Sequence, residues 1–154
     1  MPLYNSYKKD AMTGAVVLSA DSAAVNGLKV ILLSASYAGS IDNHTRYRDI
    51  SAAEISIAHP AFAQGYFSGG QALSAGNTFT QDNTNDRGAW DSGDITWTSS
   101  TITARYLAIV KVRDGGLDKE NDNVVGYIDL GSDQSSSNGS FTIQWSSNGI
   151  ILFT

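Results

Sequence analysis

Apolar and polar residues follow several distinct patterns along this chain. Residues 4 to 12, YNSYKKDAM, place Tyr4, Tyr7, Lys8, Ala11 and Met12 at helical spacing, and Gly14 stands where a helix of at most three turns would end. The spacing predicts a short amphipathic helix. LKVILLS (28 to 34) is apolar on both alternations, as expected of a central strand covered on both faces. Residues 36 to 49, SYAGSIDNHTRYRD, are rich in turn formers and read as a long loop carrying Arg46 and Arg48. DISAAEI (49 to 55) reads as one helical turn without a matched capping box, and AQGYFSGGQALSAG reads as a loop leading to a strand at NTFTQ.

The second half alternates more cleanly. DITWTSSTITARYLAIVKVR predicts a short strand around Ile95 and Trp97 and a long one from Thr101 to Arg113. Ile102, Ala104, Tyr106, Ala108, Val110 and Val112 form one apolar face of the long strand, and the opposite face is apolar only in its middle. VVGYIDL (124 to 130) and SFTIQW (140 to 145) read as further strands, with the serine run GSDQSSSNGS (131 to 140) as a mobile loop between them. Ser146 to Gly149 read as a reversal into IILF. Short strands separated by Gly, Asn, Asp and Ser clusters predict an all-β fold: an antiparallel β-sandwich or jelly-roll-like barrel with a short N-terminal helix. The strand-helix alternation of a parallel α/β sheet is missing. With no repeat and no linker, the expectation is a single domain over residues 1–154, with residues 1–14 as an N-terminal helical arm.

Composition narrows the function classes. At 154 residues and 42% hydrophobic, the chain can bury roughly two-thirds of its unfolded surface. Only 16% of residues are charged, and two Glu stand against thirteen Asp, so long surface helices are not expected. A net charge of −5 argues against a protein held on nucleic acid by counterion release. The absence of Cys excludes disulfides, thiolate nucleophiles and Cys-type zinc sites. MPLYNSYKKD lacks the apolar run of a secretory signal, and no stretch approaches the ~20 apolar residues of a membrane helix. A soluble cytosolic product without membrane contact is expected.

Catalytic constellations are sparse. No phosphate-loop motif occurs, and the glycines of GYFSGG around Ser68 have the wrong spacing for a nucleophile elbow, so Ser68 reads as a turn serine. His44 and His59 are the only imidazoles, too few for a histidine-rich metal site within one chain. No catalytic residue, metal ligand or cofactor is therefore assigned. Asp82, Asp86, Asp91 and Asp94 around Trp90 read either as a sugar site with an aromatic floor or, more simply, as solvated turn residues. Asp118, Glu120 and Asp122 alternate as calcium ligands could, but without the glycine-centred loop and terminal Glu. Trp97 and Trp145 fit strand faces. What remains is a surface of small neutral groups, cheaper to bury than Lys or Glu, which favours assembly over catalysis.

NDRGAWDSGDITWTSSTITARYLAIVKV and VVGYIDLGSDQSSSNGSFTIQWSSNGIILF, with YNSYKKDAMTGAVVL and KVILLSASY upstream, resemble a family of small structural proteins of tailed bacteriophages and prophages. The resemblance spans nearly the whole chain and implies a non-enzymatic capsid cement or decoration protein. Such a protein is made in the host bacterial cytoplasm, sits on the capsid surface, bridges major capsid subunits and associates with its own copies. Tyr4, Tyr7, Lys8, Arg46 and Arg48 are the candidate partner contacts; Lys8 and Arg46 read equally as meeting an acidic capsid patch or as solvated surface residues. The alternatives are a tail, neck or baseplate component, and a carbohydrate-binding module using Trp90 to attach to host glycans.

Overall fold

The computed structural model describes residues 1–18, 27–55, 65–73 and 77–153. It is an all-β antiparallel sandwich with one short helix. The elements are α1 (Asn5–Met12), β1 (Leu28–Leu33), β2 (Gln71–Leu73), β3 (Thr78–Asp82), β4 (Arg87–Asp91), β5 (Ile95–Lys111), β6 (Asn123–Ile143) and β7 (Ile151–Phe153). One sheet runs β2-β1-β5-β6 and the other β3-β4-β7. A single hydrophobic cluster draws on both, from Val30, Leu32 and Leu107 in the first sheet to Trp90 and Ile151 in the second.

The helix forms where the spacing predicts it and stops at Gly14, whose φ of 71° no side-chain-bearing residue adopts cheaply. Its buried face differs in one place: Met12 points to solvent, and Asp10 turns inward to accept a hydrogen bond from Asn123 Nδ2 at 3.2 Å. The doubly apolar segment 28–33 is a central strand, flanked by β2 and β5. The loop from Ser36 tightens into two 3-10 turns, Tyr47–Asp49 and Ser51–Ala53.

Four segmentations expected from the sequence are corrected, two of them strands inside stretches read as loops: β2 pairs with β1, and β4 pairs with β3 and β7. The strands at Ile95 and Thr101 are one continuous β5, bent by a bulge at Ser99, where φ is 50°. The bulge switches the buried parity from Ile95 and Trp97 to Ser100, Ile102 and Ala104, so the interior face survives a break in the alternation. Likewise VVGYIDL, the serine run and SFTIQW are one strand, β6, and the serines are paired rather than looped: Ile102 faces Ser136, Thr103 faces Ser135 and Ala104 faces Gln134. Serine has modest strand preference, so the pairing depends on side-chain bonds. Buried Ser100 Oγ lies 2.8 Å from Ser136 Oγ and 3.1 Å from the carbonyl oxygens of both Trp97 and Gly139, either of which can accept its proton. The reversal at Ser146 to Gly149 is present, with Gly149 N donating to Ser146 O, but β7 crosses to pair with β4 instead of returning along β6.

Among the described residues β6 is an edge strand, and only its beginning is covered. Tyr47 N donates to Asp122 O, Tyr4 N donates to Val125 O and Tyr127 N donates to Pro2 O, so residues 45–47 and 2–4 lie along its outer side.

Candidate functional site

The five residues expected to contact a partner do not form one surface. Tyr4 and Tyr7 are 0% and 2% exposed and belong to this chain's own core, which corrects their assignment as displayed contacts. They alternate with polar helix positions, and a tyrosine ring buried at one end of a sheet yields the same spacing as one offered to a neighbour. Tyr4 OH is hydrogen-bonded to Tyr37 OH, and burial, reinforced by that bond, pushes the Tyr4 phenol far above its usual range. Lys8 is exposed, with Nζ donating to Asn5 Oδ1 at 3.2 Å. Arg48 is exposed and donates to Asn121 Oδ1 at 2.9 Å. Arg46 is half-buried, its backbone bridged to Asn123 and its Nη1 enclosed without a partner among the described residues.

The other candidates resolve into local scaffolding. Trp90 is 2% exposed, with its backbone between Phe79 of β3 and Ile151 of β7, so it is no platform for a sugar. Asp82 holds the β3–β4 turn: its carboxylate accepts from Thr84 N, Asn85 N, Asn85 Nδ2 and Arg87 Nε, and these bonds, led by that from Asn85 Nδ2, lower its pKa. Asp118 accepts from Asn121 Nδ2, while Asp122 turns inward to accept from Arg113 N, so the alternating acids diverge. Among the described residues no three His, Cys, Asp or Glu side chains converge. His44 Nδ1 lies 3.2 Å from Tyr37 OH. His59 lies outside the described residues. Ser68 sits in a turn and donates to Glu54 Oε2 at 3.0 Å.

Two surfaces remain. The first is the outward face of the β5–β6 ribbon, where Thr96, Thr98, Thr101 and Thr103 lie beside Ser135, Asn138, Ser140 and Thr142, all exposed. Cross-strand bonds tie its side chains together: Thr96 Oγ1 lies 2.9 Å from Thr142 Oγ1, and Asn138 N donates to Thr101 Oγ1 at 3.1 Å. An ion pair, Arg105 with Asp129, is bidentate at 2.8 and 3.3 Å. The guanidinium bond, helped by Gly131 N, lowers the Asp129 pKa.

The second is a cleft of about 740 Å³ where β5 and β6 meet the segment after β6, walled by Tyr37, Tyr106, Tyr127 and Trp145. The three tyrosines stand edge to face, with centroids 5.4 Å (Tyr37–Tyr106), 5.5 Å (Tyr37–Tyr127) and 6.4 Å (Tyr106–Tyr127) apart. Trp145 is fixed at both ends, its Nε1 donating to Gly93 O and its backbone N to Asp94 Oδ1, each at 3.0 Å. Sequence reasoning missed this group because it depends on hairpin register: Tyr106 faces Asp129 and Ala108 faces Tyr127, which makes two tyrosines from distant segments diagonal neighbours.

No family model matches this chain, and neither does any curated protein or solved structure.

Proposed function

We propose that this chain is a structural protein of a tailed-bacteriophage particle, a capsid cement that binds the major capsid protein and its own copies by surface adhesion and has no catalytic role. The resemblance of its sequence to small phage structural proteins supplies the context. The observation that carries the reading is the ribbon face: an exposed, internally bonded array of Thr, Ser and Asn that loses little side-chain entropy when covered. Each contact is modest, and a bridge between two subunits gains by making release of either conditional on breaking both.

The test is reconstitution. Purified protein is added to phage shells lacking it, and bound copies are counted against the major capsid protein. Near-stoichiometric binding that raises the shell's thermal resistance supports the cement role, and a dozen or fewer copies places the protein in the neck, tail or baseplate instead. Thr103→Lys with Ser135→Lys puts two like charges opposite each other on the exposed face. The pair abolishes binding if this face is the contact; undiminished binding rejects it. Binding through a neutral face also persists at 1 M salt, where the screening length is about 3 Å.

A further inference from the structure

We infer that the cleft between Tyr37, Tyr106, Tyr127 and Trp145 binds a neutral carbohydrate. The inference stands apart from the capsid assignment, because it rests on the aromatic residues of the cleft and not on the Thr, Ser and Asn array.

The size suits a ligand: about 740 Å³ lies inside the ~300–1,000 Å³ range of small-molecule sites. The walls are preorganised. Trp145 keeps its indole clamped by Gly93 O and its backbone by Asp94, yet remains only half-buried with the cleft in front of it. The tyrosines brace one another edge to face, so little side-chain freedom is left to lose on binding.

The polar groups select the ligand class. The hydroxyls of Tyr106 and Tyr127 and the amide of exposed Gln144 make no hydrogen bond among the described residues. All three are neutral and can both donate and accept. Among the described lining residues there is no Lys, Arg or His side chain, and the carboxylate in the wall, Asp129, is paired with Arg105. A phosphate-bearing ligand would meet the Asp129 carboxylate and no basic side chain in the wall, and a pure hydrocarbon would cover two phenols without returning a partner. A pyranose satisfies both demands: its C–H faces lie on aromatic rings while its hydroxyls exchange hydrogen bonds with phenols and an amide. Rings and neutral donors together also distinguish this cleft from the apolar groove beside Phe79 and Phe153, which offers few polar groups.

The full chain is screened on a glycan array, and hits are titrated by following Trp fluorescence and amide NMR shifts, with maltotriose and N,N′-diacetylchitobiose as defined soluble probes. At least one neutral oligosaccharide binds and shifts the resonances of Gln144 and Trp145. Affinity falls tenfold or more in Trp145→Ala and about threefold or more in Tyr106→Phe and in Gln144→Ala. The last two variants remove only exposed or unpartnered polar groups, so their thermal midpoints stay at the wild-type value and they decide the matter even if Trp145→Ala unfolds. Absence of any glycan binding at millimolar concentration overturns the proposal, as does binding indifferent to Tyr106→Phe and Gln144→Ala. A proline-rich peptide shifting the same resonances when no sugar does overturns it too, since PPII segments share the preference for aromatic walls.

Discussion

Glu54 shows how much of this fold can depend on one side chain. Its carboxylate accepts from Tyr47 OH, from Tyr66 OH at 2.6 Å, from Ser68 Oγ at 3.0 Å and from Gly69 N at 2.8 Å. Tyr66 OH in turn accepts from Leu32 N at 3.0 Å, which ties the loop to the central strand. Removing the acceptor strands a buried phenol, so Glu54→Ala costs roughly 3 kcal/mol or more in urea melts, against a smaller loss for Glu54→Gln. Asp122 makes the opposite case. Burial raises its pKa above the usual 3.8, the bond from Arg113 N only partly offsetting this. A raised carboxylate pKa means that ionisation opposes folding: the contribution is fully favourable below the unfolded value and is lost as pH rises through the folded one. Asp122→Asn therefore gains on the wild type between pH 3 and pH 7, and a stability difference that stays flat over that range would show Asp122 to be unperturbed.

At the level of elements, much of the fold was legible; β2 and β4 were hidden in Gly- and Asn-rich stretches, and the failures inside β5 and β6 share one cause. The helix, β1 and the apolar stretches of β5 and β6 follow from periodicity. The breaks inside β5 and β6 do not, because bulges at Ser99 and around Gly131 and Asn138, with φ of 50°, 82° and 48°, reset the alternation that strand reading relies on. The serine run looks like a linker by composition and is held as a strand by its pairing with β5, reinforced by cross-strand bonds to buried Ser100. Ser100→Ala removes the hydroxyl that meets Ser136 Oγ and two carbonyls, and loses about 1–2 kcal/mol. In hydrogen exchange, the amides of 134–136 that point at β5 are protected in the wild type and exchange faster in Ser100→Ala. If they exchange at loop rates in the wild type, the run is not a strand. The candidate surfaces were less legible still: Trp90 promised a sugar platform and is buried, while Trp145 read as a strand-face residue and lines the cleft.

Across the whole molecule, the N-terminal arm joins what the strands alone leave separate. Its first residues lie on the outer edge of the four-stranded sheet, through the Leu3–Gly126 bridge and the bond from Tyr4 N to Val125 O at 3.0 Å. One helical turn later, the Tyr7 ring meets Phe153 of the three-stranded sheet, with centroids 6.4 Å apart. The approach is tight: a Cβ on Gly126 would lie 2.7 Å from Pro2 O, so only glycine admits the arm here. Tyr4, fully enclosed, supplies much of the hold, and Tyr4→Ala costs about 3–5 kcal/mol as an aromatic core truncation. For a domain of this size that is a fall of roughly 6–20 °C in Tm. Deleting residues 1–14 goes further, because it also bares the backbone of β6 from Val125 to Tyr127, an edge that invites another strand. The truncated chain melts earlier and elutes as a larger species in size-exclusion chromatography, whereas Lys8→Ala, exposed on the same helix, changes neither. A truncated chain that stayed monomeric with an unchanged Tm would make the arm an appendage and return Tyr4 and Tyr7 to the role of contacts for another subunit.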